Sequence, residues 1–569
     1  MFLEKIKNNY KTLMIVAGIN VLVFAIVNLI FDIKYEQVDD FIIYNLYSGL
    51  DGTYNIHGVY IHPVLCFILG MFFRILPMVN WHTMFLLVMQ FICFTIIGTL
   101  LIKKNNSKIS YILYILFVSV CYTSMLQLIQ YTSVAALLIL TAFFVMMDYI
   151  EQEKQRKKYI ICYAIVYTLG IMTRMQSLMI IAPFFALYFV YNLVLFIRKK
   201  VEKEKIIRIV KNYLLFVILT VAIYVSNYIF YNNEIYKNYD EFNELRTILH
   251  DNIYVSYEEN KEIFDEIGWS KNDHYLFYTF NFGDENVYSK ENLQKIIDYK
   301  KSQGELYNYD FELDNIVNDL IDQMRNVNPY ISIMFLGSFL VAIYTNNKNR
   351  GYIISIFLVT LAVNCIFIVI NRSMQRVVIP EYILGTALFL YLIKYREIAD
   401  DEKLNITKAI SVFIIVITVI FAGGAYQFNY HLEDYSNYKE VIEYTNSHKE
   451  NVYLYTVPSL QYRYLTYSVY EMPKKEAFSN LRVMGGWDMY TKNYYDFKDR
   501  YGLDGTFLDL LKENVYLIDG DVNWSGNFYQ DYIKNIILFI KEHYDTKVTY
   551  EKVKTFDNIY IYKLYEVAD

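Results

Sequence analysis

The sequence predicts a mainly α protein: a polytopic transmembrane helical bundle of about eleven helices, an extracytoplasmic helical loop region and a small C-terminal α/β domain. Three observations predict it. Apolar stretches of about 18 residues or more, the length that crosses a hydrocarbon core of roughly 30 Å, recur through the first three quarters of the 569 residues. Basic residues mark every second short connection between them. The last quarter holds no such stretch and instead shows short strand-like and helix-like runs.

The first apolar segment, 12–31, follows a start bearing Lys5, Lys7 and Lys11. It is longer than the h-region of a signal peptide, and Asp32-Ile33-Lys34-Tyr35 follows it where small residues would mark cleavage, so it reads as a retained helix. Next, His62 to Met78 is apolar but broken by Pro63, Arg74 and Pro77. Sending it across the membrane would move every later basic loop to the other side. It therefore reads as part of a set of interfacial helices, 36–80, lying along the outer surface against membrane lipids. Further spans follow at 83–102, 109–126, 131–149, 158–173, 177–197, 207–230, 329–345, 351–371, 377–394 and 407–425.

Lys103/Lys104/Lys108, Lys154/Arg156/Lys157/Lys158, the run from Arg198 to Lys211, Lys348/Arg350 and Lys394/Arg396/Lys403/Lys408 fall at alternate connections. Positive-inside bias then makes the N-terminus cytoplasmic and places the C-terminal domain outside, in a multi-pass protein of the cell membrane. Two soluble parts result. The segment 232–328 carries 21 Asp and Glu against 9 Lys and Arg, a balance of −12 that suits an outer loop, and reads as short helices inserted within a membrane domain spanning 1–428. The tail domain, 429–569, has strand-like runs at Val452-Tyr453-Leu454-Tyr455 and Val515-Tyr516-Leu517-Ile518. A helix-like run from Tyr529 to His543 follows, then a hairpin of Lys547 to Val553 and Ile559 to Tyr565 around Asp557-Asn558.

Composition excludes some classes. A formal net charge of −6 argues against a nucleic-acid binder. Cys66, Cys93, Cys121, Cys162 and Cys365 all fall in apolar stretches, which leaves the soluble parts no disulfide framework or cysteine metal site. The absence of an internal repeat weakens an inverted-repeat transporter.

Polar groups gather at the outer ends of the helices. Asp39 and Asp40, adjacent in Glu36-Gln37-Val38-Asp39-Asp40, could take a proton from a hydroxyl or hold a divalent cation; one of them could instead cap a short helix. Arg174, in Thr173-Arg174-Met175-Gln176-Ser177, lies at a boundary where charge needs a partner, either an anionic ligand or Asp39/Asp40; the alternative is a snorkelling side chain. Arg372 and Arg376 at a tight outer turn fit a phosphate clamp, with Glu381 as a structural alternative partner for one of them. His57, His62 and Arg74 belong to the interfacial stretch and His82 opens the next helix. No pair has the helical spacing of a zinc site, and the histidines read as interfacial polar residues, with His57 or His62 able to reach a ligand.

Asp39-Asp40, His62-Pro63, Thr173-Arg174 and Arg372 through Arg376 to Pro380 together resemble the glycosyltransferase-C superfamily, including its family 39-like, mannosyltransferase-like members. The resemblance covers roughly 1–428, in topology more than in sequence. It implies a GT-C-like membrane bundle and transfer of a hexosyl or pentosyl group from a polyprenyl-phosphate carrier to a glycan, lipid or protein acceptor on the outer face. A role in cell-envelope glycan synthesis or modification would follow. Carried over residue by residue, Asp39 or Asp40 deprotonates or orients the acceptor, and Arg174, Arg372 and Arg376 hold the carrier phosphate. Gln176, His57, His62 and Arg74 are further substrate-binding candidates. Some members hold a divalent cation at the acidic site; the sequence shows no full ligand set, so no metal ligand is assigned. Three other readings stay open: a lipid-linked glycan polymerase or ligase relying on arginine and histidine, a transporter or flippase, and a non-enzymatic scaffold.

Overall fold

The computed structural model describes residues 2–105, 107–152, 157–305, 312–326, 329–393, 436–520 and 532–567. The membrane part begins with α1 (Phe2–Ile30), two short helices α2 (Val38–Ser48) and α3 (Pro63–Ile75), and α4 (Trp81–Asn105). A π turn, Val118–Tyr122, then joins α5 (Lys108–Phe117) to α6 (Thr123–Gln127). After these come α7 (Tyr131–Glu151), α8 (Lys157–Thr173), α9 (Leu178–Ile197) and α10 (Lys203–Tyr231).

Ten of the eleven expected spans are helical, and the eleventh, 407–425, lies outside the described residues. Among the described residues, seven helical stretches are long and apolar enough to cross a membrane: α1, α4, α5 through α6, α7, α9, α10 and one ending in α17 (Arg350–Val369). The bent pair of α15 (Leu313–Asn326) and α16 (Pro329–Thr345) makes an eighth if it is one span. Two expected spans fall short of that test for local reasons. α8 has 17 residues, and α18 (Gln375–Leu392) carries Arg376 and Glu381 in its first two turns.

α7 is the axis of the bundle. Its residues are apolar on every side, as a helix surrounded by others requires, and it packs against α4, α8, α9, α10 and α18. Basic connections gather at one end of it: Lys205 pairs with Glu151 at 2.5 Å and Lys104 lies over the Tyr391 ring. At the other end, strand β1 (Lys34–Tyr35) pairs in parallel with β2 (Leu128–Ile129), which seats the start of α2 beside the start of α7. α3 bonds through His62 N to Met172 O at 2.8 Å. Its residues Val64, Phe67, Ile68, Met71, Phe72 and Ile75 form one exposed apolar face, as expected of an interfacial helix.

The soluble parts stand at this second end. The insertion forms α11 (Glu234–Thr247), α12 (Lys261–Glu266), α13 (Lys271–Tyr278) and α14 (Lys290–Ser302). The tail forms a five-stranded sheet in the order β4-β3-β5-β7-β6. β3 (Val452–Tyr455), β4 (Leu481–Val483) and β5 (Val515–Gly520) are mutually parallel, and β6 (Val548–Phe556) and β7 (Ile559–Glu566) close it antiparallel. Insertion and tail bury one core together, in which Trp269, Phe277 and Tyr288 meet Leu517, Ile536 and Phe539. The tail docks on α2: Asn493 Nδ2 donates to Leu46 O at 3.1 Å and Phe478 N to Leu50 O at 2.9 Å.

Candidate functional site

The N-cap of α2 is Gln37, in extended conformation and without a side-chain capping bond, so neither Asp39 nor Asp40 serves as the cap. Successive residues on a helix are about 100° apart, and the two carboxylates accordingly enter different surroundings. Asp40 is fully buried. Its Oδ1 accepts from His82 Nε2 at 2.9 Å and from the Tyr131 amide at 3.1 Å, while its Oδ2 has no partner among the described residues. Tyr47 Oη lies 2.6 Å from His82 Nδ1, so the tautomer that serves both bonds donates from Nε2 to Asp40 and accepts at Nδ1 from Tyr47. Burial pushes the Asp40 carboxyl above its ordinary range, opposed by the hydrogen bonds from His82 and the Tyr131 amide.

Asp39 remains partly exposed, with its Oδ2 3.6 Å from Arg376 NH1. The same NH1 donates to Gln37 Oε1 at 2.7 Å. Glu36, whose amide bonds Ile129 O at 3.0 Å, is pushed up to about 7 by burial; Arg376 opposes the shift and the charges of Asp40 and Asp39 add to it. Arg174 NH1 donates to Tyr131 Oη at 2.6 Å, and its guanidinium lies 4.5 Å from the Tyr60 ring centroid and 5.3 Å from that of Tyr131. Its Nε has no partner among the described residues, although it is buried. These contacts hold Arg174 in the protein rather than letting it snorkel outward.

The start of α7 binds these parts together. Ser133 Oγ donates to Arg376 O at 3.1 Å, and Ser177 Oγ, three residues after Arg174, donates to Thr132 O at 3.0 Å. Gln130 Oε1 accepts from the amides of Thr132 and Ser133 and Asp40 takes that of Tyr131, so these amides are not left for a ligand. Anion binding would fall to the guanidinium groups, with the positive end of α7 behind them.

The insertion also reaches the site. Arg372 NH2 donates to Asn252 Oδ1 at 3.0 Å and lies 3.5 Å from Asp251, which lies 3.8 Å from the buried Arg246. Burial raises the Tyr60 hydroxyl above its ordinary range, opposed by the charges of Arg246 and Arg174 and reinforced by those of Asp39 and Asp251.

The remaining candidates sit elsewhere. Gln176 is exposed in the turn after Arg174. His57 is fixed by Asn55 Oδ1 at 2.9 Å and Phe230 O at 3.1 Å and stacks on Tyr236; burial lowers its pKa. His62 caps α3 by accepting from the Val64 amide and meets Ser226 Oγ at 2.9 Å. Arg74 is exposed and lies over the Tyr54 ring. His82 corrects the interfacial reading, since it is fully buried against Asp40. Glu381 corrects another: it is buried and neither oxygen has a hydrogen-bond partner among the described residues, so it neutralises neither Arg372 nor Arg376. Nor do the acids fit a shared divalent cation, because Asp39 faces Arg376 and Asp40 faces His82.

No family model and no curated protein matches the chain. Among the solved structures that align with it are those of ArnT from Cupriavidus metallidurans bound to undecaprenyl phosphate and in the apo state. Each alignment covers 95% of this chain and 97% of that chain, at 10% identity and a TM-score of 0.41. A likeness so distant assigns neither activity nor residue roles.

The site combines a partly solvated carboxylate, guanidinium groups fixed by their neighbours, and a buried carboxylate on an imidazole. Such a set can neutralise a phosphate and accept a proton.

Proposed function

We propose that this chain is a membrane glycosyltransferase that moves a sugar from a polyprenyl-phosphate carrier to an acceptor on the outer face, in cell-envelope glycan synthesis or modification. The observation that carries the reading is the Asp39–Arg376 pair at 3.6 Å, on the same α7 end as the Tyr131-anchored Arg174. The motif resemblance to the glycosyltransferase-C superfamily supports it, and so does the site's position at the end of the bundle opposite the basic connections.

The carrier phosphate binds between Arg376 and Arg174, which offset its charge as it leaves. Arg376 then shares itself between the phosphate and Asp39, freeing the carboxylate to take the acceptor's hydroxyl proton. The acceptor oxygen bonds to the anomeric carbon, the bond from that carbon to the phosphate oxygen breaks, and the phosphate stays on the polyprenyl chain. Asp40 is a positioning residue: its bond to the Tyr131 amide fixes the tyrosine that holds Arg174.

Reconstituted protein, radiolabelled polyprenyl-phosphate sugars and a membrane acceptor extract test this. Asp39→Asn should retain carrier binding and lose transfer by about 10²–10⁴-fold, the usual worth of a general base. Arg376→Ala and Arg174→Ala should instead weaken carrier binding by about tenfold or more. Transfer that persists in Asp39→Asn rejects the carboxylate mechanism.

A further inference from the structure

The tail domain brings one aromatic side chain to the end of the bundle where the arginines lie. Trp487 follows β4 through a turn over Gly485 and Gly486, whose φ angles of +153° and +92° a side chain would strain. Just beyond the indole, Arg482 NH2 pairs with Asp488 Oδ2 at 2.9 Å and donates to the Asp488 carbonyl at 3.0 Å, which pins the backbone there. The indole meets the Tyr60 ring with centroids 5.1 Å apart, and Tyr60 is the ring over which the Arg174 guanidinium lies at 4.5 Å. A second unusual turn presents Tyr60. Val59 has φ +61°, a left-handed conformation that a β-branched residue rarely adopts, and Tyr60 N bonds Gly58 O at 2.6 Å. Strain of this kind persists where the surrounding structure holds a side chain in one direction, and it gathers at ligand clamps.

Both rings are half-buried, and each has a polar handle that the protein leaves unused. Trp487 Nε1 has no hydrogen-bond partner among the described residues, and the Tyr60 hydroxyl makes no hydrogen bond to any of them. Arg174 Nε, beside the same Tyr60 ring, is a third donor without a partner among them. Unpaired donors around an aromatic pair call for a ligand that offers oxygen acceptors and C–H groups together. A bare phosphate would use the donors and not the rings, and a lipid chain the rings and not the donors. A sugar uses both. Position selects which sugar: one joined through a single oxygen to a phosphate on Arg174 lies next to that guanidinium, and two contacts in sequence, 4.5 Å and 5.1 Å, lead from there to the indole.

We propose that Tyr60 and Trp487 form the platform on which the sugar of the polyprenyl-phosphate donor lies, so that the tail domain completes the donor site; this inference deepens the transferase reading above and rests on it. The full chain in detergent would be titrated by calorimetry with bare polyprenyl phosphate and with the same carrier bearing glucose, mannose or arabinose. Wild type should bind at least one sugar-bearing carrier more tightly than the bare one. Trp487→Ala should cut that preference by about tenfold and Tyr60→Phe by about threefold or more, while affinity for the bare carrier stays within about twofold of wild type. Tyr60→Phe removes no hydrogen bond to a described residue and keeps the ring beside Arg174, so it keeps the test decisive if Trp487→Ala fails to fold. The inference is overturned if both variants keep the wild-type preference, if they lose bare and sugar-bearing carrier alike, or if wild type binds the bare carrier and prefers no sugar-bearing one. Those outcomes leave the carrier site in place, because wild type still binds bare polyprenyl phosphate. Failure of wild type to bind any of the four probes removes the transferase reading itself, and this inference with it.

Discussion

Asp40 gives up its water entirely, and a carboxylate without water is tolerable only where donors replace it. His82 and the Tyr131 amide are those donors, and Tyr47 fixes the imidazole from behind. His82→Ala should therefore lower stability by about 1–3 kcal/mol, read as a fall in melting temperature, because it strips one bond from a buried acid. The same variant should weaken carrier binding through Tyr131 and Arg174 without touching the carrier itself. Glu36 gives a pH prediction. Its carboxyl is raised from 4.5 to about 7, so the stability it contributes is present below pH 4.5 and is lost as pH rises through about 7. Ionised Glu36 then competes for Arg376, and carrier affinity should drop across that range. Glu36→Gln should remove the inflection in a binding-against-pH curve. Asp39, Arg174 and Arg376 stood out in the sequence because charge at a membrane boundary calls for a reason. His82 did not, since its partner lies 42 residues away and only packing brings the two together.

At the scale of elements, hydrophobic period and turn chemistry made most of the fold legible. β3, β5 and the β6–β7 hairpin fall where alternation and Asp557-Asn558 place them. β4 escaped notice, as three residues are too few to show a period. α8 and α18 are helices as expected but fall short as free-standing spans. α18 is buried along most of its length by α16, α17 and α7, so neighbours rather than lipid surround it. The seam between insertion and tail depends on a glycine. Gly485 has φ +153°, and a Cβ there would lie 1.9 Å from Phe280 O. Gly485→Ala should lower stability by about 2 kcal/mol or more. Gly268→Ala, with φ +74° but open space around it, should cost only about 1 kcal/mol. Thermal melts of the two variants check the ranking.

Across the whole molecule, insertion and tail are separated in sequence by α16 to α18 and yet fold as neighbours over the site. One clasp between them is His543 Nε2 on Asp273 Oδ2 at 2.9 Å. Burial lowers the imidazole's pKa, but the bond to Asp273 and its charge outweigh that and raise it above 6.5. The clasp is therefore fully formed below about pH 6.5 and is lost as pH rises through the folded value. Amide protection in α13 and in the helix Tyr532–Tyr544, corrected for the intrinsic rise of exchange with pH, should fall as pH rises above 6.5 through the folded value, and His543→Gln should abolish that fall.

By itself the sequence determined the helical membrane bundle, the tail's longer strands and the boundary arginines, because apolar length, period and charge act over neighbouring residues. Tertiary structure alone decided which acid of the Asp39-Asp40 pair is buried, which histidine serves it, and that the acidic insertion and tail share a core. Those outcomes depend on which distant side chains exclude water from a group, and that is settled only when the elements pack.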